Sequence, residues 1–256
     1  MKKDGINDGR TSIIKKKYKN IILKIGGYIS MGQIFVTGDT HLGIDISKLN
    51  SKNFPQGCHL TKDDYVIICG DCGLTWDKSR ETQYWVNWLS DKPWITLCID
   101  GNHENFDELY SIPCEKKFGG NVRRVSDSIF YLNRGEVFEL CGKTFFAMGG
   151  ADSIDKTWRT PGKSWWKEEL PNFEEMEYAM DTLEKNGWTV DFVLTHSAPS
   201  NVLYQINQMF KRDNLTDFLY EVYKKLDYKE WYFGHYHVDA DFDKHHCLYN
   251  DIVRIV

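Results

Sequence analysis

From residue 31 onward, short apolar runs alternate with amphipathic stretches, and the period of each run sets the element it predicts. Runs rich in Val, Ile, Phe, Tyr and Trp, bounded by Gly, Asn or Asp, read as strands: Gln33–Thr37, Tyr65–Cys69, Trp94–Ile99, Ile129–Leu132, Val137–Leu140, Thr144–Met148, Phe192–Thr195 and Trp231–Phe233. A closing pair is expected near Cys247–Tyr249 and Ile252–Ile255. Helices are predicted over Ser79–Ser90, Phe173–Asn186 and Asn214–Leu226; the second carries apolar residues at Phe173, Met176, Met180 and Leu183 and ends on Asn186-Gly187, a helix stop signal. The order is β-α-β-α-β, then several strands, a helix and more strands. That order argues an α/β architecture with mixed sheets, in one domain that begins near Met31. The stretch Ala151–Asn172 lacks periodicity and holds Trp158, Trp165 and Trp166, so it reads as a long loop or small cap.

Composition narrows the class. At 41% hydrophobic and 27% charged residues, the chain can build an ordinary globular core and is neither fibrous nor disordered. No run approaches the ~18 apolar residues of a membrane-spanning helix, and no membrane partner is expected. Residues 1–30 differ from the rest: eight Lys/Arg face only Asp4 and Asp8, so they carry about +6 and leave about −11 on residues 31–256 of a chain whose total is −5. The patch Ile21–Ile29 is broken by Lys24 and two glycines and lacks a small-residue cleavage site, which makes a poor signal peptide. Residues 1–30 are expected to be a disordered or loosely attached extension; an upstream extension of the domain ranks next, and a membrane or nucleic-acid anchor last. Seven cysteines, an odd number without framework spacing, fit a reducing, cytoplasmic setting, and the Cys69-x-x-Cys72 pair has no second pair to complete a structural zinc site.

The chemistry lies at the strand ends. Gln33–Thr37 is followed by Gly38-Asp39-Thr40-His41, and Tyr65–Cys69 by Gly70-Asp71. Trp94–Ile99 is followed by Gly101-Asn102-His103-Glu104, Phe192–Thr195 by His196, and Trp231–Phe233 by Gly234-His235-Tyr236-His237. Open α/β sheets bind ligands outside the carboxyl ends of their strands. For any single histidine a hydrogen-bonded core position is the better reading; five strand ends, each with a metal-capable residue, are not explained that way. Carboxylate, amide and imidazole donors together suit Mn, Fe or Zn rather than Ca or a thiolate site. Asp39, His41, Asp71, Asn102, His196, His235 and His237 are too many for one ion and enough for two if a carboxylate bridges. Asp239, Asp241 and Asp243 alternate like a calcium loop but lack its glycine and terminal Glu, so an exposed strand face is expected. His59, His245 and His246 lie outside the motifs and read as surface or hairpin residues.

The ordered set GD-x-H, GD, GNHE, H, GH-x-H, spanning Gly38 to His237, resembles the calcineurin-like metallophosphoesterases. The resemblance implies a four-layer sandwich of two mixed β-sheets flanked by helices. It also implies hydrolysis of a phosphoester by hydroxide activated at two divalent metals. It assigns Asp39, His41 and His237 to one metal and Asn102, His196 and His235 to the other, with Asp71 bridging. His103 would serve the leaving oxygen, and Asn102 would also contact phosphate. Protein serine/threonine phosphatases of this superfamily read GD-x-VDRG; here Leu74 stands at the carboxylate position and the arginines are missing, which argues against that substrate. The expected partner is a small phosphoester, nucleotides included. A nuclease of the same chemistry and a non-catalytic scaffold of the same fold are the alternatives; the acidic body disfavours the first and the full ligand set the second. Arg159, Trp165 and Trp166 could wall the substrate pocket, Arg159 as a phosphate clamp; a Trp-pinned structural loop with Arg159 in a surface ion pair is the equal alternative.

Overall fold

A computed structural model describes residues 32–256; the basic segment 1–30, and the looseness expected of it, lie outside the described residues. Strand β1 (Ile34–Thr37), β2 (Tyr65–Cys69), β3 (Ile95–Ile99) and β6 (Ile129–Leu132) run parallel in one sheet. The hairpin β4 (Cys114–Lys117) and β5 (Gly120–Ser126) extends that sheet antiparallel beyond β6, and β13 (Val253–Arg254) closes its other edge against β1. The second sheet is also mixed. Its parallel part is β8 (Lys143–Met148), β9 (Phe192–Thr195), β10 (Glu230–Phe233) and β12 (His245–Cys247), with β7 (Glu136–Leu140) and β11 (Ala240–Phe242) antiparallel at the edges.

Each central strand is apolar on both faces because both faces are covered. In β1, Ile34 and Val36 point between the sheets, where they join Ile67, Leu97, Phe130, Phe145 and Leu194, while Phe35 points outward. Outside the first sheet, Val66, Ile68 and Ile129 pack on Leu89 of α1 (Arg80–Ser90) and on Phe106 and Leu109 of α2 (Phe106–Ser111). Outside the second, Phe146, Val193 and Trp231 pack on Leu183 of α3 (Phe173–Lys185), Val202 of α4 (Ser200–Ile206) and Leu215, Leu219 and Val222 of α5 (Asn214–Lys225). Helices, sheet, sheet, helices make the four layers. Burial of each such Leu or Phe stabilises by roughly 1.5–3 kcal/mol, which outweighs the weak propensity of short strands.

Helices α1, α3 and α5 begin at side-chain caps: Ser79 accepts from Thr82 N–H, Asn172 from Glu175 N–H and Asp213 from Thr216 N–H. Trp94 lies just ahead of β3, its indole donating to Thr96 Oγ1 at 3.1 Å. The pattern missed α2, α4 and the β4–β5 hairpin, all short and without a clear period. The two strands expected at the C-terminus go to different sheets. Asp239 accepts the backbone N–H groups of Tyr249, Asn250 and Asp251 at 2.7–3.0 Å, so the chain turns out of the second sheet and its last strand joins β1 of the first. His245 and His246 lie in the β11–β12 hairpin, His245 buried with Nε2 3.0 Å from the Tyr228 hydroxyl and His246 half-buried between Glu230 and Asp241, whereas His59 is exposed. Among the described residues no helix is long and apolar enough to cross a membrane.

Candidate metal centre

The carboxyl ends of β1, β2, β3, β9 and β10 converge on one mouth, and glycine sets how closely they do so. A Cβ on Gly70, whose φ is +99°, would sit 1.9 Å from His196 Nδ1, and one on Gly234 would sit 2.2 Å from Asp39 Oδ1. Four side chains of the cluster also stand on left-handed backbone: His41 (φ 40°), Asp71 (50°), His235 (69°) and His237 (52°). Non-glycine residues rarely adopt that conformation, and its recurrence at one mouth marks strain held by the surrounding fold at a functional site.

The side chains meet in three overlapping groups, one of which joins His41, Asp71 and His103. Donor atoms of Asp39, His41 and His237 lie within 4.8 Å of one another, and so do those of Asp71, His196 and His235. Asp71 sits between the groups, with Oδ2 3.3 Å from His41 Nε2 and Oδ1 3.3 Å from His196 Nε2. Asn102 Oδ1 is 3.2 Å from His196 Nε2. Two tautomers are fixed from behind: His41 Nδ1 is 2.8 Å from Asp45 Oδ2, and His196 Nδ1 donates to the Cys69 carbonyl at 2.8 Å. Each ring therefore presents Nε2 to the centre, as metal-binding histidines do when the other nitrogen is held. Asp39 Oδ2 is buried without a hydrogen bond, although His237 Nε2 approaches to 3.0 Å unaligned. A buried carboxylate oxygen without a donor is costly unless a cation takes that role.

The field of the site favours cations. Burial would raise the Asp71 carboxyl, but the imidazoles of His196 and His41 hold it well below the usual range. Conversely, burial would lower His41 and His196, yet Asp71 pushes them up to about 9 and about 10. Burial, with His196 adding to it, drops His235 to about 3, so its ring stays neutral and available as a ligand. Imidazoles, two carboxylates and an amide oxygen, with one carboxylate oxygen unpaired, fit a divalent cation, which would displace the protons that His41 and His196 otherwise hold.

His103 N–H donates to Asp71 Oδ1 at 2.8 Å, so the residue hangs from the centre by its backbone while its ring faces the mouth. Its ring partner is Arg159, whose Nη2 lies 3.2 Å from His103 Nε2. Burial lowers the His103 pKa, and the guanidinium adds to this against the pull of Asp71. Leu74 is in the core, so no carboxylate occupies that position. Arg159 is itself held by Asp155 Oδ2 at 2.8 Å. Arg159 Nη2 thus lies beside the His103 ring, and its ion pair with Asp155 is internal to the 151–172 loop. Trp166 is corrected. It is 5% exposed and its indole donates to Asp107 Oδ2 at 2.9 Å, so it packs into the core outside the first sheet. Trp165 is half-buried with Lys156 over its ring, whereas Trp158 is 91% exposed.

Several residues of the site escaped the sequence reading. Ser153 Oγ accepts from Asn102 Nδ2 at 3.1 Å, and nothing in its surroundings marks it. Asp45 sits four residues after His41 in a turn, a spacing that could have flagged it. Glu104 was legible in GNHE but without a role. Its buried carboxylate accepts Cys72 N–H at 2.8 Å and Tyr131 O–H at 2.9 Å, tying the β2 loop to the β3 loop. Burial, with Asp71 adding to it, pushes Glu104 up to about 8. Asp100, just before Gly101, forms a buried ion pair with Arg134, which also donates to the Glu168 carbonyl at 2.8 Å.

Two mixed sheets under a carboxylate–imidazole cluster at their strand ends define a metal-dependent phosphoester hydrolase. The calcineurin-like phosphoesterase family model matches residues 32–239, and the chain belongs to that family. No curated protein gives a match to the chain.

Proposed function

We propose that the protein hydrolyses a small phosphoester, nucleotides included, at a centre holding two divalent cations. The observation that carries this reading is the double cluster around Asp71, with His103 and Arg159 on the same mouth. Asp39, His41 and His237 would hold one ion, Asn102, His196 and His235 the other, and Asp71 would serve both. When bound, such a pair supplies Lewis-acid stabilisation of phosphoryl oxygens and lowers the pKa of water.

The chain's own residues do the rest. Arg159, fixed by Asp155, offers its guanidinium to a phosphoryl oxygen, a contact favoured by charge and geometry alike. His103 is kept from charging by burial and by Arg159, so it meets the leaving oxygen as a hydrogen-bond donor rather than as a fixed cation. The Asn102 amide, oriented by Ser153, adds a donor where phosphate would sit. Trp158, 91% exposed, is free to stack on a ring of the alcohol group, a contact worth about 1–3 kcal/mol.

A net charge of about −11 on residues 31–256 repels a long polyanion, so a nuclease is the weaker reading. Seven free thiols fit a reducing, cytoplasmic setting. The test is turnover of phosphomonoesters, diesters and nucleotides by Mn-loaded protein at two salt concentrations. Hydrolysis of small esters with a weak salt response is expected. Rapid oligonucleotide cleavage with a steep slope, near −0.9 per neutralised phosphate on duplex DNA, and negligible small-ester hydrolysis would overturn it.

A further inference from the structure

The two halves of the cluster are braced by different residues. On one side, Asp45 takes the His41 ring through Oδ2 at 2.8 Å and accepts the Tyr249 hydroxyl through Oδ1 at 3.1 Å. The Tyr249 ring then stacks on His237, with centroids 4.6 Å apart and planes within 15°. Beneath them the buried Lys48 ammonium donates to the carbonyls of Gly38 (3.3 Å), Asp39 (2.6 Å) and Tyr249. Asp39, His41 and His237 are thus all tied to the Asp45–Lys48–Tyr249 set. On the other side, Asn102 is held by Ser153 and His196 by the Cys69 carbonyl; none of Asp45, Lys48 or Tyr249 hydrogen-bonds to Asn102, His196 or His235.

His237 makes this bracing matter. Its side chain is 49% exposed, while the His196 side chain is fully buried. A buried ring is held by packing; a half-exposed one rotates unless something lies against it. Tyr249 supplies that face, and it lies beyond the family-matched segment 32–239. We propose that Tyr249 and Asp45 are positioning residues that set the affinity of the Asp39/His41/His237 metal position independently of the other position. This rests on the two-metal reading above.

The clamp makes a paired prediction. Groups that orient metal ligands are typically worth about 10–100-fold in metal affinity. Tyr249→Ala is therefore expected to weaken one Zn or Mn equivalent by that factor and leave the second unchanged. Tyr249→Phe keeps the stacked ring and loses only the hydroxyl, so it recovers most of the affinity. Ser153→Ala is expected to weaken the other equivalent instead. The readout is competitive titration of chelator-stripped protein against a metal indicator, with circular dichroism to establish that each variant is folded. Because it measures metal rather than turnover, the result does not depend on the substrate.

Equal weakening of both equivalents in Tyr249→Ala, or no weakening of either, overturns the proposal. An unfolded Tyr249→Ala passes the decision to Asp45→Asn, for which a selective loss supports the clamp and an unselective one or none overturns it. A single equivalent in the unsubstituted protein would end the two-metal reading. The clamp would then stand if Tyr249→Ala weakened that equivalent and Ser153→Ala did not, and fall on the reverse.

Discussion

Replacing Gly70 by alanine probes how tightly the strand ends must approach. The added Cβ would lie 1.9 Å from His196 Nδ1, 2.3 Å from its Cγ and 2.7 Å from its Cε1, whereas ordinary contact begins near 3.4 Å. The ring must therefore retreat by about 1.5 Å, and it is fully buried. Retreat breaks the Nδ1 hydrogen bond to Cys69 and moves Nε2 from Asp71 and Asn102. Leaving that buried carbonyl unpaired costs about 1–3 kcal/mol, and an alanine at positive φ costs roughly 1–2 kcal/mol more. The total is about 2–5 kcal/mol, or a fall in melting temperature of roughly 4–20 °C at about 2–4 °C per kcal/mol for a domain of this size. Gly187→Ala is the matched control: its φ is +68° but nothing lies within 4 Å of the new Cβ, so only the backbone term applies. Urea and thermal melts of both variants, with and without Zn, separate the two terms. The reasoning fails if Gly70→Ala loses no more stability than Gly187→Ala and still binds metal as the parent does.

His103→Gln is expected to keep its metal content by elemental analysis while turnover drops roughly 10²–10⁴-fold, the usual share of one proton-handling group; an emptied centre would make His103 a ligand instead. Arg134→Met leaves the Asp100 carboxylate buried and alone, which typically costs 3–5 kcal/mol; urea melts should show most of that loss recovered in the Asp100→Leu/Arg134→Met double variant. Trp166→Phe should lower stability by about 1–2 kcal/mol through the lost Asp107 bond with KM unchanged, whereas Trp158→Ala should raise KM; a raised KM in Trp166→Phe would return that residue to the pocket wall. In metal-stripped protein, His41 and His196 have folded pKa values raised to about 9 and about 10. Their stabilisation is complete below about pH 6.5 and lost as pH rises through those values, so the chelated protein should melt lower at about pH 10 than at about pH 7. A flat profile there would show that protons do not stand in for cations.

The sequence by itself determined the central strands of both sheets. Tyr65–Cys69, Ile129–Leu132 and Phe192–Thr195 are legible to the residue because a strand covered on both faces must be apolar throughout, and that leaves a contiguous mark. The metal-capable residues behind Gly38, Gly70, Gly101 and Gly234 are legible for the same reason, since short side chains that share a point must follow strand ends at fixed offsets. Tertiary structure alone decided what braces them. Tyr249 reaches His237 because Asp239 gathers the backbone N–H groups of residues 249–251 and turns the chain across to the edge beside β1, a choice no local period encodes. Trp165 and Trp166 are adjacent and alike in the sequence, yet Asp107 and the core outside the first sheet take one, while Lys156 covers the other. Contacts between residues far apart in the chain depend on where whole elements pack, and packing is a property of the assembled layers rather than of any one segment.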